Sequence, residues 1–373
     1  MIRLRTIELR EIRLPLREPF RTSSGEQAIR RILLIRTEDA DGLAAWSECV
    51  AQEHPAYTSE TIDTAWFAIR EWLATILLSR GVEPNNVSSL MDEHVRGHEM
   101  AKAGLEMAVW ALAAEQSDRA LSDVLGGTRE RVPVGVAIGI QKNPDSLVEN
   151  VTRCLECGYR RIKMKIMPGS DLRFLLPVRE AFGDAAPLAA DANSAYRLSD
   201  LETLLSIDSL GLLMLEQPLQ HDDLVRHAEL QRHLSTPICL DESIPNRDRA
   251  EDMIRLRAGR MVNLKPGRVG GFSTSLAIHD VCADNNIPVW CGGMLETGIG
   301  RAYNVALASL PHFKLPGDIS PSRRYWERDI VAPEWTMSSS GYVEVPLNKT
   351  GIGVDVDVNR IDDLTVRADR IVA

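Results

Sequence analysis

Lys165, Asp191, Glu216, Asp241 and Lys265 follow one another at steps of 26, 25, 25 and 24 residues, each closing a short apolar run. A strand, a helix and two loops take up about that many residues, so the spacing is the period of a βα unit. Parallel strands joined in this way all end on one face, and residues dispersed in sequence then converge in space. The pattern predicts one polar site, three carboxylates flanked by two amines, at the mouth of an α/β barrel.

The organisation of the chain changes near residue 130. Before it, two strand-like runs cover 3–16 and 31–50, the second broken by the turn pair Asp41-Gly42. Helical periodicity follows over 61–78, with Ile62, Trp66, Ile69 and Leu73 on one face, and over 99–115. Strands first and helices afterwards describe an α+β unit. Beyond it, apolar runs recur at 134–140, 161–166, 187–190, 212–215, 237–240, 261–264, 288–291 and 313–316, with helical stretches such as 146–157, 224–234 and 274–284 between them. Eight strands with helical connections predict a (β/α) barrel whose last helix is replaced by the tail from Tyr325. The expected division is 1–128 for an N-terminal α+β cap, 129–322 for the barrel and 323–373 for a segment packing back on the cap.

A net charge of −10 argues against a nucleic acid partner, which selects for a basic face. No apolar stretch approaches the roughly 20 residues that span a bilayer, and the Arg- and Glu-rich start lacks the apolar segment of a secretory signal. The expected setting is cytoplasmic, with a small molecule as partner and no membrane. Of the six cysteines only Cys154 and Cys157 lie close together, without a second ligand pair, and helix packing accounts for them.

Asp191, Glu216 and Asp241 supply three hard oxygen donors with no His or Cys beside them, a set that suits Mg2+ better than zinc. Packed together they would repel one another unless a divalent cation neutralised them. A lone Asp after a strand is often just a helix N-cap, but three in register between lysines point to a site. Lys163 and Lys165 alternate about Met164 and face the same side of their strand, the barrel interior. Burial beside a second ammonium would depress a lysine pKa, as a general base near neutral pH requires. Lys265 stands four strands further round and approaches from the opposite side. Two amines across a carboxylate bound to a metal can remove the proton alpha to it, with Lys163 facing the enediolate charge. The alternative, a purely structural salt-bridge network, is costly to bury without a ligand.

The stretches Lys163-Met-Lys165, Asp191-Ala-Asn193, Glu216-Gln-Pro218, Asp241-Glu242-Ser243 and Asn263-Leu-Lys-Pro-Gly-Arg-Val-Gly-Gly271 resemble the enolase superfamily, in its muconate lactonizing branch. Within that branch, Pro288-Val-Trp-Cys-Gly-Gly-Met-Leu-Glu-Thr-Gly-Ile-Gly-Arg301, Leu315-Pro-Gly-Asp318 and Pro19-Phe-Arg-Thr-Ser-Ser-Gly25 are similar to the o-succinylbenzoate synthase and N-succinylamino acid racemase family. The resemblance implies an α+β capping domain on a (β/α)7β barrel and an assembly of identical subunits. It implies Mg2+, with Mn2+ as a substitute, on Asp191, Glu216 and Asp241, and Lys165 and Lys265 as the acid/base pair. In the synthase reaction Lys165 abstracts the alpha proton and hydroxide leaves; in the racemase reaction each lysine serves one enantiomer. A dipeptide epimerase or a cycloisomerase is the nearest other chemistry, although Asp318-Ile-Ser320 lacks the second Asp of an Asp-x-Asp motif expected of the epimerase. A silent barrel kept for binding would typically have lost a lysine or a ligand, and none is missing.

Further expectations attach to single residues. Phe20, Arg21, Thr22, Ser23, Ser24 and Gly25 read as a cap loop that closes over substrate. Gly292, Gly293 and Met294 follow the seventh strand, where small residues let backbone amides reach a ligand. Asn193 is placed to reach the site, Glu242 to support the ligand before it, and Arg268 to depress the pKa of Lys265. Ala137 stands where the family often has Ser, and Tyr303 where His is familiar.

Overall fold

The computed structural model describes residues 1–23 and 25–373. Strands β1 (Ile2–Thr22), β2 (Gly25–Asp39) and β3 (Ala44–Cys49) form an antiparallel sheet, with the Asp41-Gly42 turn joining the last two. The run 32–35 of β2 is wholly buried. Helix α1 (Glu99–Gln116) lies across β2 and β3 at close range. A Cβ at Gly104 would sit 2.6 Å from Ile35 Cδ1, so only glycine allows the approach; there the Gly104 carbonyl accepts from Ser47 Oγ at 2.6 Å. The stretch expected as one helix over 61–78 is helical throughout but carries a π-helical turn at Ile69–Leu73, and Thr61 caps it with a reciprocal Thr64 bond.

The second sheet is parallel, in sequence order from β4 (Val136–Ile138) through β5 (Ile162–Lys165), β6 (Leu188–Asp191), β7 (Leu215–Glu216), β8 (Ile238–Leu240) and β9 (Met261–Leu264) to β10 (Val289–Cys291). Helices α2 (Pro144–Glu156), α3 (Leu172–Phe182), α4 (Leu201–Asp208), α5 (Leu224–His233), α6 (Arg247–Leu256) and α7 (Phe272–Asp284) connect them, and α8 (Gly298–Ala308) follows β10. The strand cores are buried on both faces, as a sheet lined by helices requires. The run 313–316, expected as an eighth strand, forms only single bridges: Phe313 with Val289 of β10, and Gly317 with Val134 beside β4. Pro316 cannot donate to a ladder and Gly317 leaves no side chain to pack, which shortens the pairing to these points. Below the strand ends Ala189, Met214, Cys239 and Trp290 form a small buried cluster of their own.

The tail returns to the first sheet. Strand β11 (Thr365–Val372) pairs antiparallel with β1 from Thr6↔Val372 to Ile12↔Thr365, and helix Val358–Leu364 packs on the same strand. The cysteines are all free; Cys154 is half-buried on α2 while Cys157 is exposed at its end, so only the first packs. No helix among the described residues is long and apolar enough to cross a membrane.

The N-terminal unit grips the barrel through buried carboxylates. Glu106 of α1 accepts from the backbone of Phe272 (2.8 Å) and Ser273 (2.9 Å), from Ser273 Oγ (2.7 Å) and from Trp110 Nε1 (2.8 Å), capping the first turn of α7. Glu106→Ala strands the buried Phe272 amide and unpairs the half-buried Ser273 and Trp110 donors, and we expect it to lower the unfolding free energy by about 2 kcal/mol. An unchanged midpoint in urea denaturation would show that water satisfies them instead.

Candidate active site

Alternation along β5 turns Lys163 and Lys165 inward, and the parallel register pairs Lys165 with Asp191 and Asp191 with Glu216, side by side at three strand ends. Asp241 and Lys265 each stand one residue beyond β8 and β9. The Lys163 ammonium lies 2.9 Å from Glu216 Oε2, 3.1 Å from Asp191 Oδ2 and 2.8 Å from Asp318 Oδ2. Lys165 Nζ donates to Asp191 Oδ2 at 2.6 Å and to Asn193 Oδ1 at 2.5 Å. On the far side Lys265 Nζ donates to Asp241 Oδ2 at 2.7 Å and to the Tyr57 hydroxyl at 3.0 Å. Asn193 Nδ2 reaches Glu242 Oε1 at 3.1 Å, and Asn263 Nδ2 holds Glu216 Oε1 at 2.8 Å. The sequence-predicted lysines and carboxylates therefore share one buried cluster.

Ammonium groups fill the space between the carboxylates, and among the described residues no three Asp, Glu, His or Cys groups gather round a common point as the side chains stand. The donor set nevertheless suits a hard divalent cation. Three carboxylates end successive strands, and burial together with the charge of Asp191 pushes Glu216 up to about 7, a crowding that a cation would relieve. Glu242, buried beside Asp241 and Asp191, is pushed up to about 8, and its Oε2 has no partner.

The expectation of depressed lysine pKa values is overturned for Lys163 and Lys265. Burial alone would lower each, but Asp318, Glu216 and Asp191 around Lys163, and Asp241 and Tyr57 around Lys265, outweigh it and hold both well above the usual value. Asp191 moves the other way: burial opposes its charge, but Lys165 and Lys163 keep it below the ordinary carboxylate range. Arg268 does not act on Lys265 in the expected manner. Its guanidinium lies 3.1 Å from Asp241 Oδ1 and donates to the carbonyls of Ile244 and Asn263, so with Lys265 it keeps Asp241 ionised.

Above this cluster lies a cavity of about 430 Å3. Lys163, Lys165, Lys265 and Asn193 line it, with Ala137 presenting a methyl group where a hydroxyl was noted as usual. Phe20, Thr22 and Gly25 line it from the tip of the β1–β2 hairpin. Ser23 Oγ touches the carbonyls of Ala192 and Asn193 at 3.3 Å, whereas the Arg21 side chain is exposed and its carbonyl accepts from Ile140 N at 2.8 Å; Ser24 lies outside the described residues. Gly293 and Met294 also line the cavity. Gly292 does not offer its amide to a ligand, because that group donates to Leu264 O at 3.1 Å. Its missing side chain makes room instead: a Cβ there would lie 2.1 Å from Asn263 Oδ1 and 2.6 Å from Lys265 Cε. Tyr303 stands away from the cluster and donates to Trp46 O at 2.7 Å.

Several site residues escape a reading of the sequence. Tyr57 comes from the loop after β3, a stretch without periodicity, and its hydroxyl also donates to Asp241 at 3.0 Å. Asp318 pairs with Lys163 and with Arg161, whose guanidinium stacks 3.8 Å over the Trp290 ring. Extending the 163/165 alternation back to 161 would have found the arginine.

Residues 4–126 match the mandelate racemase / muconate lactonizing enzyme N-terminal domain, and residues 146–360 match the enolase C-terminal domain-like family. An o-succinylbenzoate synthase of Geobacillus kaustophilus is 45% identical over 364 residues, 98% of this chain and 96% of the relative. An N-succinylamino acid racemase of Amycolatopsis sp is 46% identical over 365 residues, 98% of each. A solved enolase superfamily member from Listeria innocua superposes with a TM-score of 0.95 over the whole of both chains at 40% identity. The chain is an enzyme of the enolase superfamily, in the muconate lactonizing branch and the o-succinylbenzoate synthase and N-succinylamino acid racemase family.

Proposed function

We propose that this enzyme abstracts the proton alpha to a carboxylate on Lys165 and uses the resulting enediolate in two ways, racemisation of N-succinylamino acids and dehydration to o-succinylbenzoate. The observation that carries the reading is the pair of amines, Lys165 and Lys265, four strands apart and facing one cavity with three carboxylates between them. In this reading residues 1–128 and 323–373 form the cap and 129–322 the barrel.

Asp191, Glu216 and Asp241 would hold Mg2+, which when bound neutralises these carboxylates and polarises a substrate carboxylate. With the carboxylates so engaged, the pull that raises Lys163 and Lys265 weakens and burial acts in the opposite direction, toward a usable base. Lys165 takes the alpha proton from one face. The charge that develops on the substrate carboxylate faces Lys163. For racemisation Lys265 gives its proton to the opposite face of the same carbon, and the reverse direction exchanges the roles. For dehydration no second proton reaches that carbon: the electron pair left there expels hydroxide from its neighbour, and Lys265 remains a cation beside the charge. The hairpin tip around Phe20 and the loop around Tyr57 cover the cavity and exclude water.

Incubation of N-succinylamino acids in deuterium oxide tests the reading directly. Exchange at the alpha carbon with inversion is expected, together with aromatisation of the cyclohexadiene carboxylate; absence of both reactions from the metal-loaded enzyme would end it. Lys165→Ala should abolish dehydration, a loss on the order of 1,000-fold or more, and substantial turnover by that variant would remove Lys165 as the base. Metal binding has its own signature. Glu216 and Glu242, raised to about 7 and about 8 from 4.5, hold protons in the folded state that the unfolded chain releases. Their stabilising contribution is present near pH 5 and lost as pH rises through about 8, so the metal-free Tm should fall across that range. Added MgCl2 should raise Tm more at about pH 8 than at about pH 6, because the ion competes with protons for the same carboxylates. An equal gain at both values, or an equal gain in Asp191→Asn, would argue against this site.

A further inference from the structure

Outside the lysine cluster one carboxylate stands out by what it joins. Glu48 is the penultimate residue of β3 in the N-terminal unit and is fully buried. Its Oε2 accepts from Thr297 Oγ1 at 2.7 Å, Thr297 N at 3.0 Å and Gly300 N at 3.3 Å, all at the start of α8 in the barrel. A Cβ at Gly300 would lie 2.9 Å from that oxygen, so the small residue admits the carboxylate.

The residues on either side of this contact are the ones that wall the cavity. On the cap side Glu48 leads into the loop that places Gln52, His54, Ala56 and Tyr57 against the site, and buried Arg30 fixes the start of that loop by donating to Val50 O at 2.8 Å and Ala51 O at 3.0 Å. On the barrel side Thr297 lies two residues after Gly293, Met294 and Leu295, which line the cavity. Beyond Thr297 the polar chain continues. Glu296 accepts from Asn304 Nδ2 at 2.8 Å and lies 3.6 Å from Arg301, which donates to Asp318 O at 2.9 Å, and Asp318 holds Lys163.

We propose that Glu48 is a positioning residue: by accepting from Thr297 and Gly300 it fixes the spacing between the Tyr57 loop of the cap and the 293–297 loop of the barrel, and so sets substrate affinity. The helix start gives an acceptor strong leverage, since its first N–H groups have no partner within the helix: Asp329 takes Gly298 N, the Thr297 hydroxyl takes Ile299 N, and Glu48 takes Thr297 N and Gly300 N. Losing the contact leaves both loops intact but no longer registered, which affects binding of the part of the substrate remote from the lysines more than the proton transfer. The magnitude follows from three donors stranded in a buried place.

The inference rests on the proposed reaction for its kinetic test and is independent of it for a second one. In the metal-loaded enzyme with an N-succinylamino acid, Glu48→Ala should raise KM about tenfold while kcat changes less than about threefold. Glu48→Gln, whose amide oxygen accepts from the same donors, should keep KM within about threefold of the parent. Thr297→Val removes the hydroxyl donor to Glu48 together with the cap acceptor for Ile299 N, leaves both backbone donors to Glu48 in place, and should raise KM by a few-fold, about 3; it answers the question if the alanine variant does not fold. An unchanged KM in a folded Glu48→Ala, or in Thr297→Val when the former fails to fold, overturns the proposal, as does equal impairment of the Ala and Gln variants. Amide hydrogen exchange needs no turnover: Glu48→Ala, or Thr297→Val in its place, should speed exchange in both 50–58 and 293–297. Acceleration in one loop alone would also overturn it, whereas failure of the parent enzyme to turn over substrate would count against the reaction and not against this coupling.

Discussion

The buried ammonium of Lys163 is the charge around which the barrel mouth is assembled. It touches Asp191, Glu216 and Asp318 and stands over the Trp290 ring at 4.8 Å, almost out of water. Without it Glu216 would lose its cation, while Asp191 would keep Lys165 and Asp318 would keep Arg161, and breaking such a buried pair costs about 3 to 5 kcal/mol. Arg161 just before β5 and the inward positions Lys163 and Lys165 on it form a ladder of cations matched by carboxylates from β6, β7 and the segment after residue 317. A well-packed apolar layer of the same volume would be at least as stable. The ladder therefore makes sense as chemistry kept in place by the strands around it, and the same carboxylates that stabilise it also hold Lys163 protonated.

The barrel supplies the floor of the cavity and, through Gly293, Met294 and Leu295, part of its wall. The rest of the wall comes from the N-terminal unit, through the β1–β2 hairpin and the loop that carries Tyr57. Precision at such a joint depends on how firmly the two units are registered. Two buried carboxylates from the cap, Glu48 and Glu106, each sit on the first turn of a barrel helix, α8 and α7 respectively. Apolar contact alone tolerates sliding; a carboxylate held by several backbone donors does not.

Much of this is legible in the sequence because the barrel is periodic. A step near 25 residues locates the strand ends, and alternation about Met164 orients two lysines. The eighth strand was overestimated because an apolar run carries no information on whether its neighbours leave room for a ladder, and Pro316-Gly317 does not. The lysine pKa values were misjudged for a similar reason. Sequence shows which charges are present but not that Asp318 swings in beside Lys163, nor that Tyr57 and Asp241 face Lys265. Gly292 reads as a ligand contact in sequence and turns out to be clearance for Lys265 and Asn263. Tyr57 and Glu48 left no mark, since a loop and a three-dimensional joint have no period.

The small cluster of Ala189, Met214, Cys239 and Trp290 has a consequence for traffic. It fills the barrel beneath the lysines, and the Trp290 indole is pinned from above by Arg161 and bonded to Cys239 at 3.3 Å. The cavity is thus a cup plugged at its base, and passage to the lysines runs on the side where the Phe20 hairpin and the Tyr57 loop stand.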